Sequence, residues 1–283
     1  MTGDTVTSDA TNPDAIQAGR LSAVFEAAGA QHRAVLVGCL PAGFPTVARG
    51  IDAMRAMTDA GADVIEMELA YSDPVIDGPV IQRASEIALA GGVRTADVFR
   101  SVEAVAGAGA TVILMTYWNP VERYGVDRFA RDFAAAGGSG IVTPDLIPDE
   151  GAEWIAAADR HDLDRIFLVA PSSTPARIAA TVAACRGFVY ATSVMGVTGA
   201  RDHTSDAAPD LVARVRAATS MPVGVGLGVR DGAQAAAVAG YADAVIVGSA
   251  LVSCVLDNLD DEAAGRAALT RLTAELAEGV RKR

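Results

Sequence analysis

The chain has 283 residues, of which 51% are hydrophobic and only 5% aromatic, and its formal net charge is −12. This length accommodates one large α/β domain or two small ones, and the Ala-, Val-, Leu- and Ile-rich composition favours a parallel sheet packed by small aliphatic side chains. The acidic balance disfavours nucleic acid and anionic membranes as partners, because phosphate contacts require clustered Lys and Arg.

The cysteines Cys39, Cys185 and Cys254 lie far apart and form no C-x-x-C pair. Neither a disulfide framework nor a metal site is therefore expected, and a reducing cytoplasm is the expected location. The first twenty residues are polar and lack an apolar core, which excludes a signal peptide or a membrane span there. We expect residues 1–15 to form a loose or disordered tail and residues 16–283 to form a single domain.

From residue 34 onward, short β-branched apolar runs alternate with Ala-rich segments of helical length. The eight runs are AVLVGCL (34–40), VIEMEL (64–69), TVILMTY (111–117), GIV (140–142), RIFLVA (165–170), FVYATS (188–193), VGVGLG (223–228) and AVIVGS (244–249). The intervening segments carry apolar residues at helical spacing, and several end at Gly. Eight such βα units predict an α/β fold of the (β/α)8 TIM barrel type, with a doubly wound sheet as the alternative.

Three further helices are predicted in addition to the eight βα units. We expect an extra helix at the N-terminus, another in VIQRASEIALAGG after the second strand, and a long C-terminal helix in ALTRLTAELAEGVRKR. Barrel active sites lie where strands end and βα loops begin, so polar residues at strand ends are the candidates for function.

The second run carries two acids on one face. Glu66 and Glu68 share the face of Val64, because side chains in a strand alternate with period two. A carboxylate inside a barrel is costly unless it is paired or used, and desolvation raises its pKa toward the value that a general acid or base requires. The segment from Gly61 to Pro79 has no basic residue. Acid–base chemistry is therefore favoured over a buried ion pair.

Two aspartates follow in the loop after this strand. Asp73 stands in S-D-P and Asp77 in D-G-P, and both contexts are also typical of turns. From these residues alone, turn formation and catalysis are equally good explanations.

Gly-rich strand ends come late in the chain, in MGVTGA (195–200), VGLGVRDG (225–232) and IVGSAL (246–251). Backbone amides at the start of a following helix bind anions without Lys or Arg, and barrels commonly hold phosphate after strands seven and eight. Gly226, Gly228, Gly248 and Ser249 occupy those two strand ends, which predicts a phosphate site. The alternative is that the glycines serve tight βα turns only.

In these residues the sequence closely resembles the α subunit of tryptophan synthase, over about residues 20 to 281. The motifs that carry the resemblance are LPAGFPT, YSDPVIDGPVIQ, YWNP, PDL, GVTG, GLGV and VGSA, each after a successive strand of the barrel except the fifth. The resemblance implies retro-aldol cleavage of indole-3-glycerol phosphate to indole and glyceraldehyde 3-phosphate, with no cofactor in this chain. It also implies a pyridoxal-phosphate β subunit as partner in an αββα complex.

The resemblance implies a role for each matching residue. Glu66 is expected to be the catalytic glutamate and Asp77 the aspartate at the indole N–H. The residues expected at the substrate and its phosphate are Tyr190, Thr198, Gly199, Gly228, Gly248 and Ser249, with Thr198 in a mobile loop that closes over the site. Asp73 and Asn119 are expected to contact the partner, although Asn119-Pro120 also fits an ordinary turn.

The sequence departs from the family pattern at a few positions. Glu68 replaces a glycine and Ala70 a proline, Cys39 stands where an aromatic residue is common, and Ile147 stands in place of a proline. Glu68 is therefore a candidate modifier of the pocket. Three functions are compatible with these changes: an ordinary α subunit, a stand-alone indole-releasing or related lyase, or an impaired barrel that binds and activates a β subunit.

Overall fold

A computed structural model describes residues 19–192, 207–226 and 228–282. The expected tail, residues 1–15, lies outside these ranges, and the assignment of residues 16–283 to one domain stays a prediction. No described helix is both long and apolar enough to span a membrane.

The described residues form nine strands, all paired in parallel in one sheet. They are β1 (Val35–Pro41), β2 (Val64–Glu68), β3 (Thr111–Met115), β4 (Gly140–Val142), β5 (Asp164–Ile166), β6 (Leu168–Val169), β7 (Val189–Thr192), β8 (Val223–Gly226) and β9 (Ala244–Val247). The order across the sheet is β5-β4-β3-β2-β1-β9-β8-β7-β6.

The two ends of this sheet belong to one predicted strand. The run RIFLVA is divided at Phe167, so that β5 pairs with β4 and β6 pairs with β7. The chain itself therefore joins the two edges, and the sheet is a nearly closed barrel. The predicted (β/α)8 barrel is confirmed, with one of its eight strands divided in two.

Twelve α-helices and one 3-10 helix lie in the described residues. The α-helices are α1 (Ser22–Ala30), α2 (Val47–Asp59), α3 (Pro79–Ala90), α4 (Thr95–Ala106), α5 (Trp118–Tyr124), α6 (Val126–Ala135), α7 (Ala152–Arg160), α8 (Pro175–Ala184), α9 (Ala207–Arg216), α10 (Gly232–Ala239), α11 (Ser249–Leu256) and α12 (Glu262–Gly279). The 3-10 helix spans Pro148–Glu150. The predicted extra helices are thus α1 before the barrel, α3 after β2, and α12 with 18 residues at the end.

Side-chain caps fix the start of several helices. Thr46, Thr174, Asp231 and Asp261 each accept a hydrogen bond from a backbone N–H in the first turn of α2, α8, α10 and α12. Such a cap typically contributes about 1 kcal/mol, because it satisfies a donor that the helix itself leaves open.

The apolar side chains form two layers. The larger layer lies between strands and helices and includes Ile65 and Met67 of β2, whereas the smaller layer fills the barrel interior and includes Val64 of the same strand. Leu21, just before α1, belongs to the interior layer and packs there with Val35. The period-two alternation therefore places Glu66 and Glu68 inside the barrel, as predicted.

Candidate active site

Three polar side chains meet inside the barrel near the carboxyl end of β2. Glu66 lies opposite Cys39 of β1, and the Cys39 thiol donates a hydrogen bond of 3.2 Å to Glu66 Oε1. Glu68 is two residues further along the same face, and Glu66 and Glu68 are only 1% and 6% exposed. Cys39 Sγ and one oxygen of each carboxyl group lie within 4.8 Å of one another. We call this group of three residues the acidic centre.

Burial dominates the electrostatics of the acidic centre. It raises the pKa of Glu66 to about 7, against a smaller opposing effect of the Cys39 hydrogen bond. The pKa of Glu68 lies well above its ordinary value, first through burial and then through the neighbouring charges of Asp77 and Glu66. Within residues 19–192, 207–226 and 228–282, neither glutamate forms a salt bridge. The pair thus keeps a transferable proton near neutral pH.

The raised pKa of Glu66 predicts a pH-dependent cost in stability. A carboxyl whose pKa rises from 4.5 in the unfolded chain to about 7 in the fold costs nothing below pH 4.5. The cost grows between pH 4.5 and 7, where only the unfolded chain has lost the proton, and is fully present above pH 7 at about 3 kcal/mol. We expect Glu66→Gln to raise the free energy of unfolding at pH 8 relative to the native chain, and to lose this advantage near pH 4.5, as measured by urea denaturation.

The exposed Glu103 provides the matched control for this comparison. Glu103→Gln removes the same charge from the surface of α4, where the carboxylate is hydrated and has no cost of burial. The unfolding curve of this variant should therefore follow that of the native chain at both pH values. Equal unfolding curves for native chain and Glu66→Gln at pH 8 would show that burial of Glu66 carries no electrostatic cost.

Asp77 lies in the loop after β2 and is held by a tyrosine. Its side chain is buried at 5% exposure, and the Tyr117 hydroxyl donates a hydrogen bond of 2.9 Å to Asp77 Oδ1. The same hydroxyl accepts hydrogen bonds from the backbone N–H groups of Val75 and Ile76, at 3.1 and 3.2 Å. Burial raises the pKa of Asp77, whereas the Tyr117 hydrogen bond opposes this rise by favouring the anion. Tyr117 therefore fixes both the loop and the Asp77 carboxyl group.

Neither a functional role of Tyr117 nor the contact between Cys39 and Glu66 was predicted from the sequence. Tyr117 is the last residue of the third predicted strand, and this position at a strand end could have indicated a functional role. The contact of Cys39 with Glu66 depends on the register of β1 against β2, which the sequence does not display.

Of the predicted phosphate-binding residues, Gly248 borders the acidic centre. Gly228 follows β8 with φ of 67°, a left-handed conformation that favours glycine, and Gly248 caps α11, whose first residue is the buried Ser249. A Cβ atom on Gly248 would lie 3.6 Å from Cys39 Cβ and 3.9 Å from Glu68 Oε1. The start of α11 therefore borders the acidic centre, and its first amides have no partner within the helix. Thr198 and Gly199 lie outside the described residues.

Tyr190 of β7 joins the interior layer of the barrel. A Cβ atom on Gly226 would lie 2.6 Å from the Tyr190 hydroxyl, so the glycine leaves room for this side chain. Desolvation, followed by the charges of Glu66, Cys39 and Glu68, keeps the pKa of Tyr190 well above its ordinary value. Tyr190 is therefore a neutral hydroxyl facing the acidic centre.

Asp73, in the loop after β2, and Asn119, in α5, are both exposed. Asn119 Nδ2 donates a hydrogen bond of 3.0 Å to the Tyr71 hydroxyl, and the Tyr71 ring stacks on Tyr117 at a centroid distance of 5.0 Å. A cleft of about 410 Å³ opens beside them, lined in part by Ala70, Tyr71 and Asn119. The cleft contains none of the residues of the acidic centre, so it is a surface feature of its own.

The fold and the site together define a (β/α)8-barrel protein that holds buried carboxyl groups at the carboxyl end of its second strand, an arrangement typical of an enzyme active site. A family model described as tryptophan synthase alpha chain matches residues 25–281. The chain therefore belongs to the tryptophan synthase alpha chain family.

Individual relatives agree with this assignment. The tryptophan synthase alpha chain of Salinispora arenicola is 66% identical over 261 residues, which is 92% of this chain and 97% of that protein. A chain in a structure of Mycobacterium tuberculosis tryptophan synthase matches with a TM-score of 0.89 and 59% identity, covering 94% of this chain and 99% of the other. Tryptophan synthase subunit alpha from Legionella pneumophila matches with a TM-score of 0.82 and 30% identity, covering 93% and 98%.

Family membership confirms the function that the resemblance implied. The chain is an α chain of tryptophan biosynthesis that acts on indole-3-glycerol phosphate and works with a β chain in an αββα complex. The α chain carries no cofactor of its own, since pyridoxal phosphate belongs to the β chain. The comparisons give no support to a stand-alone lyase or to an impaired barrel.

Proposed function

We propose that the chain is a carbon–carbon lyase in which Glu66 transfers the protons of the cleavage and Asp77 stabilises the charge that forms on the indole ring. The observation that carries this proposal is that the Glu66 carboxyl group is buried inside the barrel without a basic partner among the described residues, which raises its pKa to about 7. Asp77 supplies a second buried carboxyl group, which Tyr117 orients, in the loop after the same strand. A group with this pKa is present in both protonation states near neutral pH, which suits a residue that must give and take a proton.

The reaction requires two proton transfers. Indole C3 accepts a proton, the bond from C3 to the glycerol chain breaks with its electrons returning to the ring, and the neighbouring hydroxyl loses its proton as it becomes the aldehyde of glyceraldehyde 3-phosphate. Glu66 serves both steps, first as the acid toward C3 and then as the base toward the hydroxyl. The number of protons is conserved, so the enzyme returns to its starting state.

Asp77 acts on the intermediate between these two steps. Protonation of C3 leaves a positive charge that is shared with the ring nitrogen, and a carboxylate near that nitrogen lowers the energy of the charged species. The Tyr117 hydrogen bond supports this role, because it favours the ionised form of Asp77 and fixes its direction.

The substrate phosphate is assigned to backbone amides after β8 and β9. Gly228, Gly248 and Ser249 are the described residues of this cradle, and Gly199 and Thr198 complete the proposal. The amides at the start of α11 and the dipole of this helix attract an anion without a basic side chain. Tyr190, in the interior layer of the barrel, is assigned to the substrate as a neutral hydrogen-bond donor.

The partner face is assigned to the loop after β2 and the start of α5. Asp73 and Asn119 are exposed there, and a series of contacts from Asn119 through Tyr71 and Tyr117 reaches Asp77. A β chain that docks on this face would therefore touch residues that hold Asp77 in place. A cytoplasmic location is also part of the proposal, and the three free thiols support it because reducing compartments keep cysteines unpaired.

The proposal is tested by the products of the purified chain. We expect incubation with indole-3-glycerol phosphate to yield indole and glyceraldehyde 3-phosphate in equal amounts, with a faster rate when a tryptophan synthase β chain is added. The β chain should be assayed without serine, so that indole accumulates and can be quantified together with the triose phosphate.

Other outcomes point to the two alternative functions. A rate that does not respond to the β chain would favour a stand-alone lyase. Absence of indole in both assays, combined with faster synthesis of tryptophan from added indole and serine by the β chain, would favour an impaired barrel that activates its partner.

A further inference from the structure

We propose that the acidic centre, Cys39, Glu66 and Glu68, is a binding site for a single divalent transition-metal ion, with Zn²⁺ as the best chemical match. One ligand atom from each of the three buried residues lies within 4.8 Å of the others. Around a Zn²⁺ ion with bonds of about 2.0–2.3 Å, such atoms are separated by roughly 3.3–3.7 Å. The existing distance of 3.2 Å from Cys39 Sγ to Glu66 Oε1 is already close to this range.

A second observation supports an ion here. Glu66 Oε2 and Glu68 Oε2 are both buried, and neither has a hydrogen-bond partner among the described parts of the chain. Unpaired buried carboxylate oxygens are costly, and a bound cation is one of the ways in which proteins satisfy them. The three side chains thus bring their ligand atoms together, and two of them have a carboxylate oxygen without a hydrogen-bond partner among the described residues. A cation bound at this position would satisfy these oxygens.

The donor set decides which ion fits. A thiolate and two carboxylates are ligands of Zn²⁺, whereas Mg²⁺ and Ca²⁺ prefer oxygen ligands alone. Binding requires the thiol and carboxyl protons to leave for solvent, so the affinity should increase with pH. Three protein ligands leave the fourth position of a tetrahedral Zn²⁺ ion open.

Titration of the metal-free full chain with Co²⁺ tests the site directly. Co²⁺ is a spectroscopic substitute for Zn²⁺, and its bond to a thiolate produces a charge-transfer band in the near ultraviolet. We expect one equivalent of Co²⁺ to produce this band and Zn²⁺ to abolish it by displacement. Absence of the band at saturating Co²⁺, or its persistence in Cys39→Ala, would overturn the proposal.

Two variants locate the ligands. Glu68→Gln should weaken Co²⁺ and Zn²⁺ binding by about tenfold or more, since even outer-shell groups contribute 10–100-fold to metal affinity. Cys254→Ala is the matched control, because this half-buried thiol of α11 donates its hydrogen bond to the Ala250 carbonyl at 3.4 Å and is not one of the three ligands. Equal affinity in Glu68→Gln and Cys254→Ala would contradict the proposed ligand set.

The same ion should inhibit the reaction, because it occupies Glu66. Zn²⁺ is expected to stop indole formation, and a chelator should restore the rate. At substrate concentrations well below KM, the half-maximal Zn²⁺ concentration should equal its dissociation constant from the Co²⁺ competition. This consequence rests on the proposed role of Glu66, whereas the absorption titration does not. Stoichiometric Co²⁺ binding without inhibition would therefore support the metal site and contradict the catalytic role of Glu66.

Discussion

Replacing Glu66 by Gln is expected to lower kcat for indole formation by about 10²–10⁴-fold, the usual contribution of a positioned general acid or base. Gln has nearly the same shape as Glu and can still accept the hydrogen bond from the Cys39 thiol, but it cannot transfer a proton. The rate should be measured with the isolated α chain and again with a β chain present. The loss should appear in both assays, because it concerns the chemical step.

The stability of the same variant separates a chemical effect from a structural one. If Glu66→Gln is at least as stable as the native chain at pH 8 and is still inactive, its loss of activity cannot be attributed to unfolding. A loss of activity accompanied by lower stability would instead identify Glu66 as a residue that maintains the fold. Functional groups with an electrostatic cost of this kind commonly reduce stability.

Replacing Gly248 by Val is expected to raise KM for indole-3-glycerol phosphate by about 10- to 100-fold. Hydrogen bonds to charged groups contribute about 1.5–3 kcal/mol each, and the added methyl groups would occupy the space in front of the first amides of α11. The backbone at this position has room for a Cβ atom, whose nearest contacts would be ordinary ones of 3.6–3.9 Å, and a urea denaturation curve of the variant checks that the two methyl groups of Val leave the fold intact. The effect should fall mainly on KM, because the phosphate does not change during the reaction.

Two controls accompany this experiment. Gly248→Ala adds the Cβ atom alone and should have an intermediate effect. Gly29→Val adds the same side chain to the exposed surface of α1, where a Cβ atom would have no neighbour within 4 Å, and should leave KM unchanged. A native KM in Gly248→Val would contradict the phosphate site at α11. So would a loss of substrate binding on removal of a single Lys or Arg, since the proposal uses backbone amides.

Some features of the site follow from simple periodicity in the sequence. Glu66 and Glu68 are two positions apart in an apolar strand, and this spacing alone predicts that both face the same side as Val64. The glycines that follow the seventh and eighth predicted strands were placed correctly because short βα units alternate regularly. Local patterns of this kind determine which residues reach the barrel mouth, and they are visible in one sequence.

Contacts between distant segments were not predictable in the same way. Cys39 meets Glu66 through the register of two strands, and Tyr117 meets Asp77 through the path of a loop. The division of the fifth predicted strand at Phe167 also depends on its neighbours, because each half pairs with a different strand. The metal-binding geometry belongs to this group, since its ligands come from two strands and show no spacing typical of metal sites.

Two departures from the family pattern meet at one point in the fold. Cys39 and Glu68, both expected from the resemblance to depart from the family pattern, lie beside Gly248. These two side chains therefore bring one thiol and one additional carboxyl group to the same part of the barrel interior.

A comparison of indole formation by Glu66→Gln and Glu68→Gln tests the central claim most directly. The two variants remove one carboxyl group each from the same strand face, at adjacent positions of the acidic centre, so their difference reports which one carries the proton. The account predicts that Glu66→Gln loses nearly all activity while Glu68→Gln retains most of it. Near-native turnover in Glu66→Gln together with an inactive Glu68→Gln would contradict the account and assign the chemistry to Glu68.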